Sequence, residues 1–106
     1  MTARNVCFTV NNYTENEMEH LEQWDQVKYL IYGKEVGESG TPHLQGYVEF
    51  KDKKKFTTIK KKIPRAHIEA RKGTAQQAAD YCKKDGDYVD NGSFDELPIS
   101  INYLRS

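Results

Sequence analysis

The chain has 106 residues, which suffices for one small domain with a modest apolar core. Its apolar fraction is 37%, and seven Tyr, four Phe and one Trp favour a globular fold over a disordered chain. No stretch approaches the roughly 18 apolar residues of a membrane span, no signal-peptide pattern opens the chain, and the formal net charge is zero.

The neutral total hides a concentrated basic segment. Between Lys51 and Lys72 there are eight Lys and two Arg against two acids, whereas residues 14–38 carry seven acids against two bases. Such a segment is either a solvated face or a surface for a polyanion such as nucleic acid. Cys7 and Cys82 lack the spacing of a zinc site, so we expect free thiols in an intracellular protein.

The first predicted strand covers residues 4–12, in which apolar and polar side chains alternate. Asn11 and Asn12 end this strand, either as turn formers or as amides that hydrogen-bond DNA. A capping box that begins at Thr14 then predicts a helix over residues 15–24.

The next two predicted strands form a hairpin. Residues 27–36 contain consecutive apolar side chains, which favours a central strand covered on both faces. A Gly- and Pro-containing loop leads to the strand over residues 43–50, which alternates strictly. Glu35, near the end of one strand, should therefore lie close to His43, at the start of the other.

His43 and Gln45 lie two residues apart, so their side chains share one face of the strand. They are either ordinary polar residues of a surface strand or two metal ligands on a rigid element. With the Glu35 carboxylate they would offer oxygen donors suited to Mg²⁺ or Mn²⁺, and the single imidazole shifts the preference toward Mn²⁺. One His without Cys argues against structural zinc.

A second helix is predicted over residues 53–63, with a lysine-rich outer surface, and Pro64 ends it. Residues 65–71 alternate again and form the fourth predicted strand. Its inward side chains are predicted to be Ala66, Ile68 and Ala70, and its outward ones His67, Glu69 and Arg71.

A second capping box, beginning at Thr74, opens a third helix near Ala75, and Gly86 ends it. Its apolar stripe consists of Ala75, Ala78, Ala79 and Cys82. Tyr81 lies well off that stripe and is therefore not a plain core residue. Lys84 follows at i+3, so the two side chains can approach the same ligand.

The element order is strand, helix, strand, strand, helix, strand and an added helix. It predicts an α+β fold: a ferredoxin-like βαββαβ antiparallel sheet with helices on one face and an added C-terminal helix that carries Tyr81. Asp90-Asn91-Gly92 predicts a short hairpin between residues 88–89 and 93–94. We assign residues 1–97 to this domain and residues 98–106 to a tail or linker.

Three motifs in this order resemble those of the replication-initiator (Rep) endonuclease domain of circovirus-like circular single-stranded DNA viruses. They are Phe8-Thr9-Val10-Asn11-Asn12, His43-Leu44-Gln45-Gly46 and Tyr81-Cys82-Lys83-Lys84, and residues 65–74 also resemble the segment before the nucleophile helix. Each motif alone is weak, whereas the ordered set is specific. The resemblance extends over residues 4–86.

The resemblance implies an HUH-type nuclease, in which a hydrophobic residue separates two metal-binding positions. Here those positions are His43 and Gln45, with Glu35 as the third ligand of Mn²⁺ or Mg²⁺. Gln45 departs from the two-His form, which should weaken metal affinity and favour hard ions. Tyr81 matches the nucleophile that forms a 5′-phosphotyrosine link, and Lys84 matches the lysine that positions the phosphate.

The implied partner is single-stranded DNA at a replication origin, in the host cell nucleus, where the enzyme initiates and terminates rolling-circle replication. The expected DNA-binding residues are Asn11, Asn12, Arg65, His67, Glu69, Arg71 and Lys72. Proteins of this kind carry a helicase domain after the nuclease, and the chain has no G-x-x-x-x-G-K-[ST] motif. We therefore expect an N-terminal portion that oligomerises only as part of the full-length protein.

Two other functions fit the same element order. A non-catalytic module of RNA-recognition type would stack bases on sheet aromatics, for which Tyr29, Tyr32 and Tyr47 are candidates. That function leaves the Tyr81–Lys84 spacing unexplained. A plasmid or transposon HUH nuclease is the other alternative, and the Gln45 variant favours the viral type over it.

Overall fold

Five strands form one antiparallel sheet in residues 2–37 and 40–92, which are the residues that the computed structural model describes. The elements are β1 (Thr2–Asn11), α1 (Glu15–Glu22), β2 (Val27–Val36), β3 (Pro42–Lys55), α2 (Phe56–Lys62), β4 (His67–Ala70), α3 (Ala75–Cys82) and β5 (Tyr88–Gly92). The strand order is β4-β1-β3-β2-β5. The first four strands have the ferredoxin-like arrangement, so the predicted α+β fold is confirmed, and β5 extends the sheet beside β2.

One sheet face packs against α1 and α2, and we call it the α1–α2 face. Its buried core draws apolar side chains from β1, β2 and β3, together with Leu21 of α1 and Ile59 of α2. Because side chains alternate along a strand, the residues between these point to the opposite face. Both predicted capping boxes form, at Thr14 and at Thr74, which fixes where α1 and α3 begin.

The opposite face packs against α3, and we call it the α3 face. The four small residues of the predicted stripe are all buried there, and they pack against Tyr29, Ile31 and Tyr47 of the sheet. Small side chains let the helix axis approach the strands closely. The approach is closest at Gly33, where an added Cβ would lie 1.9 Å from the Cys82 carbonyl oxygen. The glycine therefore sets the distance between β2 and the end of α3.

Replacing Gly33 by Ala should push the C-terminal end of α3 away from β2. The contacting atom is backbone, which cannot rotate aside, so we expect a loss of about 3 kcal/mol in the free energy of unfolding. Urea unfolding of the variant measures this loss. Gly37→Ala is a control for the added methyl group, since its Cβ would make only an ordinary contact, 3.9 Å from the Thr41 carbonyl oxygen. Equal stability of the Gly33 variant and wild type would contradict the close approach.

Three local predictions are wrong. Residues 53–55 belong to β3 rather than to a helix, because Lys54 and Lys55 pair with Ala3 and Thr2 at the start of β1. The segment 90–92 is not a turn but part of β5, with Asp90 opposite Ile31. In both cases pairing with a distant strand overrides local preference. Ala70 is exposed, since the four-residue β4 lies at the sheet edge. Residues 93–106, including the assigned tail, lie outside the described residues.

Candidate active site on the α3 face

A buried carboxylate and an imidazole face each other across the central hairpin. Glu35 of β2 pairs in register with His43 of β3, as the sequence predicted. The His43 Nε2 lies 2.9 Å from the Glu35 Oε1. Glu35 is only 5% exposed, which is rare for a carboxylate unless it is paired or binds a cation. The hairpin thus holds two of the three predicted metal ligands together.

Helix α3 and the turn that follows it bring the other two predicted catalytic residues to this pair. The Lys84 Nζ lies 3.4 Å from the Glu35 Oε1 and 4.1 Å from the centroid of the Tyr81 ring. A hydrogen bond with Tyr81, together with the charge of Glu35, raises the pKa of Lys84, so this side chain remains a cation. Tyr81 itself is 51% exposed, which leaves its hydroxyl accessible to a large substrate.

Gln45 lies on the same face, two residues beyond His43, and its orientation is fixed from β1. Thr9 pairs in register with Gln45, and its hydroxyl donates a hydrogen bond of 3.2 Å to the Gln45 Oε1. A carbonyl oxygen has two lone pairs, so one remains to bind a metal ion. Gln45 and Tyr81 both line a cleft of about 190 Å³, so the amide and the tyrosine share one site.

Replacement of Thr9 by Val should weaken metal binding without removing any predicted ligand. The hydroxyl orients the Gln45 oxygen, and loss of such a supporting hydrogen bond typically lowers metal affinity about 10- to 100-fold. We expect about a tenfold increase in the Mn²⁺ dissociation constant, measured by isothermal titration calorimetry. Thr9→Ser keeps the hydroxyl and should restore the affinity. An unchanged constant in the Val variant would show that Thr9 does not orient the ligand.

The donor set fits a hard divalent cation. The Glu35 Oε2 is buried and accepts no hydrogen bond within the described part of the chain, so a lone pair of this carboxylate is left for a cation. Among the described residues no three His, Cys, Asp or Glu cluster as a metal site. The third predicted ligand is the amide of Gln45. Two oxygen donors and one imidazole are compatible with Mn²⁺ or Mg²⁺.

Several predicted DNA contacts lie around this site. Asn11 is exposed and pairs in register with His43. Asn12 adopts a left-handed conformation (φ 52°) and its N–H donates to the Pro42 carbonyl, so it forms the turn after β1. Glu69 and Lys72 line the cleft beside Tyr81.

His67 and Glu69 are both exposed on β4, and their side chains lie 3.1 Å apart. This contact lowers the pKa of Glu69, and its carboxylate therefore stays charged near the candidate DNA path. Glu69 would contact DNA by accepting a hydrogen bond from a cytosine amine, the base donor with which a carboxylate pairs.

The two predicted arginine contacts are engaged within the protein. Arg65 makes a bidentate pair with Glu17 of α1, at 2.6 and 2.9 Å, and donates to the Asn12 carbonyl. Arg71 donates to the Tyr47 hydroxyl at 2.9 Å and lies 3.5 Å from the buried Glu49 carboxylate. Neither pairing was predicted. Each guanidinium stabilises the junction of two elements, and its role in DNA binding stays a prediction.

The aromatic residues required by the RNA-recognition alternative are buried. Tyr29, Tyr32 and Tyr47 are 2%, 2% and 0% exposed, so their rings have no free face on which a base can stack. Burial raises the pKa of Tyr32 to about 12, which adds to its unsuitability as a reactive group. These tyrosines are core residues.

The fold and these contacts define a class of domain: a ferredoxin-like sheet with a Glu–His pair at its centre, packed against a helix that carries Tyr81 and is followed by Lys84. The chain belongs to the family described as "Putative viral replication protein", whose model matches residues 3–85. The resemblance to replication-initiator domains of circular single-stranded DNA viruses is thereby confirmed.

Individual relatives agree with this family. The chain is 48% identical over 89 residues to the replication-associated protein of Beak and feather disease virus, and 47% identical over 89 residues to that of Pigeon circovirus. It is 38% identical over 95 residues to the master replication protein of Subterranean clover stunt virus. These matches cover 82%, 82% and 86% of the chain but only 31%, 28% and 32% of the relatives. The chain thus spans about a third of their length.

These relatives support a role in viral replication. Their names do not state a reaction. Among the described residues, no helix is long and apolar enough to span a membrane.

Proposed function

We propose that this domain nicks and rejoins single-stranded DNA at a replication origin through a covalent link to Tyr81. One observation carries the proposal: an exposed tyrosine, a lysine cation, a buried carboxylate and an imidazole form one continuous set of contacts. The Lys84 ammonium touches both Tyr81 and Glu35, and Glu35 touches His43. Nucleophile, positive charge and metal ligands are the groups that phosphoryl transfer to a tyrosine requires.

In the proposed reaction the Tyr81 hydroxyl oxygen attacks the scissile phosphorus. A bond forms between that oxygen and phosphorus, and the bond from phosphorus to the 3′-oxygen breaks. The tyrosine loses its proton, the departing 3′-oxygen gains one, and a 5′-phosphotyrosine and a free 3′-hydroxyl result. Attack by a 3′-hydroxyl reverses these steps, so the domain ligates without ATP.

Lys84 supplies positive charge where the phosphate gains negative charge in the transition state. Its raised pKa keeps it protonated, so it acts as a fixed cation. A bound Mn²⁺ or Mg²⁺ would polarise a phosphate oxygen and stabilise the same charge. Glu35, His43 and Gln45 are the residues that would hold this ion, and the Thr9 hydroxyl orients the Gln45 amide.

DNA reaches the cleft along the α3 face in this proposal. Lys72 is exposed beside Tyr81 and contacts phosphate, while Asn11 is positioned to touch bases near His43. In this proposal the bound DNA is single-stranded, so its unpaired bases are accessible to Asn11.

A covalent-capture assay tests the proposal. The protein is mixed with a panel of labelled single-stranded origin oligonucleotides in Mn²⁺, and the products are separated under denaturing conditions. We expect a protein–DNA band that carries the 5′ side of the break, and no such band after EDTA treatment. Absence of the band with every origin sequence, in a protein that binds the same DNA, would contradict the proposed reaction.

A further inference from the structure

The α1–α2 face contains an open groove, on the side of the sheet opposite the candidate active site. The groove has a volume of about 380 Å³ and lies between the end of α1, β3 and α2. Trp24, the single Trp of the chain, is half-buried in its wall and packs edge-on against the buried Phe50, with ring centroids 5.1 Å apart. One indole therefore lines a cavity that reaches solvent.

Three lysines surround this indole. Lys61 and Lys62 are exposed on α2, and neither has an ion-pair partner within residues 2–37 and 40–92. Lys54 is held at the rim by a hydrogen bond to the Gln26 side chain. The lining contains a single acid, Asp25, against these three cations. The lining of the groove therefore carries a net positive charge.

We infer that this groove is a second binding site for single-stranded DNA, with a base against Trp24 and phosphates on Lys61 and Lys62. A basic groove that follows the backbone, combined with an aromatic side chain that stacks on a base, is the combination that binds single strands irrespective of sequence. Lysines make point-charge contacts with phosphates, so they secure the strand without reading its sequence. A duplex offers no unstacked base to the indole.

The groove is separate from the candidate active site. Trp24 and α2 lie on the α1–α2 face, whereas Tyr81 and α3 lie on the α3 face, with the sheet between them. A strand held in the groove is thus not the segment cut at Tyr81. The inference goes beyond the nicking reaction and does not require it, because binding in the groove needs neither the metal ligands nor the tyrosine.

The single Trp makes the groove directly observable. Indole fluorescence, excited where tyrosine does not absorb, is recorded during titration with an oligothymidine that lacks an origin sequence. We expect quenching that saturates, and the same quenching in Tyr81→Phe and in EDTA. The double variant Lys61→Gln, Lys62→Gln should bind the oligothymidine about twentyfold more weakly at about 0.1 M salt. The slope of the logarithm of affinity against the logarithm of salt concentration should become shallower by about 1.4, or about 0.7 for each lost phosphate contact.

Lys72→Gln is the matched control, since it removes one exposed lysine from the α3 face. The Trp quenching of Lys72→Gln by the oligothymidine should equal that of wild type. The Lys61→Gln, Lys62→Gln variant should still form the covalent adduct with a short origin oligonucleotide. Circular dichroism checks the fold of both proteins. Three results overturn the second site: no quenching, quenching that survives in the folded double variant, or equal quenching by polyglutamate. Failure of covalent capture alone would contradict the nicking proposal and not the groove.

Discussion

Tyr81→Phe should abolish the covalent protein–DNA adduct while leaving DNA binding intact. The substitution removes one oxygen atom from an exposed ring, so no core contact is lost. Removal of a nucleophile eliminates the covalent step, and we expect the rate of adduct formation to fall by about 10³-fold or more. Denaturing electrophoresis with a labelled origin oligonucleotide measures the adduct, and fluorescence anisotropy measures binding.

Tyr88→Phe is a matched control for this experiment. Tyr88 is also an exposed tyrosine with a lysine over its ring, the Lys83 Nζ at 5.5 Å from the centroid, but it lies on β5. The control should form the adduct at the wild-type rate. If Tyr81→Phe still forms the adduct and Tyr88→Phe does not, the nucleophile has been assigned to the wrong residue.

Glu35→Gln should remove metal binding and stabilise the metal-free protein or leave its stability unchanged. The carboxylate is the only anionic member of the proposed ligand set, and its Oε2 is buried without a hydrogen bond from the described residues. Loss of a residue that only supports a metal ligand typically weakens metal binding about 10- to 100-fold. Loss of the Glu35 charge should raise the Mn²⁺ dissociation constant by more than this. A neutral amide also lowers the desolvation cost of the buried position, which offsets the loss of the charged contacts with His43 and Lys84.

Thermal unfolding with and without Mn²⁺ separates these two effects. At about 100 times its dissociation constant a ligand adds about 2.7 kcal/mol to wild-type stability, and the variant should lose most of this increment at the same Mn²⁺ concentration. Glu69→Gln is the control, because Glu69 is an exposed carboxylate on β4 that lines the cleft beside Gln45 and Tyr81. If Mn²⁺ stabilises Glu35→Gln as much as wild type, Glu35 is not a ligand.

Strand faces could be predicted from the sequence because alternation is a local property. The periodicity placed His43 and Gln45 on one face of β3 and Leu44, Val48 and Phe50 on the other, and the structure agrees. The four small residues of α3 and both capping boxes were predicted for the same reason, since helical spacing and cap chemistry extend over only a few residues.

The relative placement of distant elements could not be predicted in this way. No local pattern shows that Thr9 lies opposite Gln45, because strand register is set by the packing of whole strands. The pairing of Arg71 with the buried Glu49 is of the same kind. For Gly33 a signal existed, namely a glycine inside a strand, which often marks a close backbone approach.

The sequence by itself determined the candidate chemistry of this domain: His43 and Gln45 on a strand, Glu35 in the strand before it, and Tyr81 at the edge of a helix. The tertiary structure alone decided which atoms meet. Small residues on α3 and the missing side chain of Gly33 let the helix end approach β2, and that approach brings the Lys84 ammonium within 3.4 Å of Glu35. Residue types follow from the sequence, whereas distances between elements follow from packing.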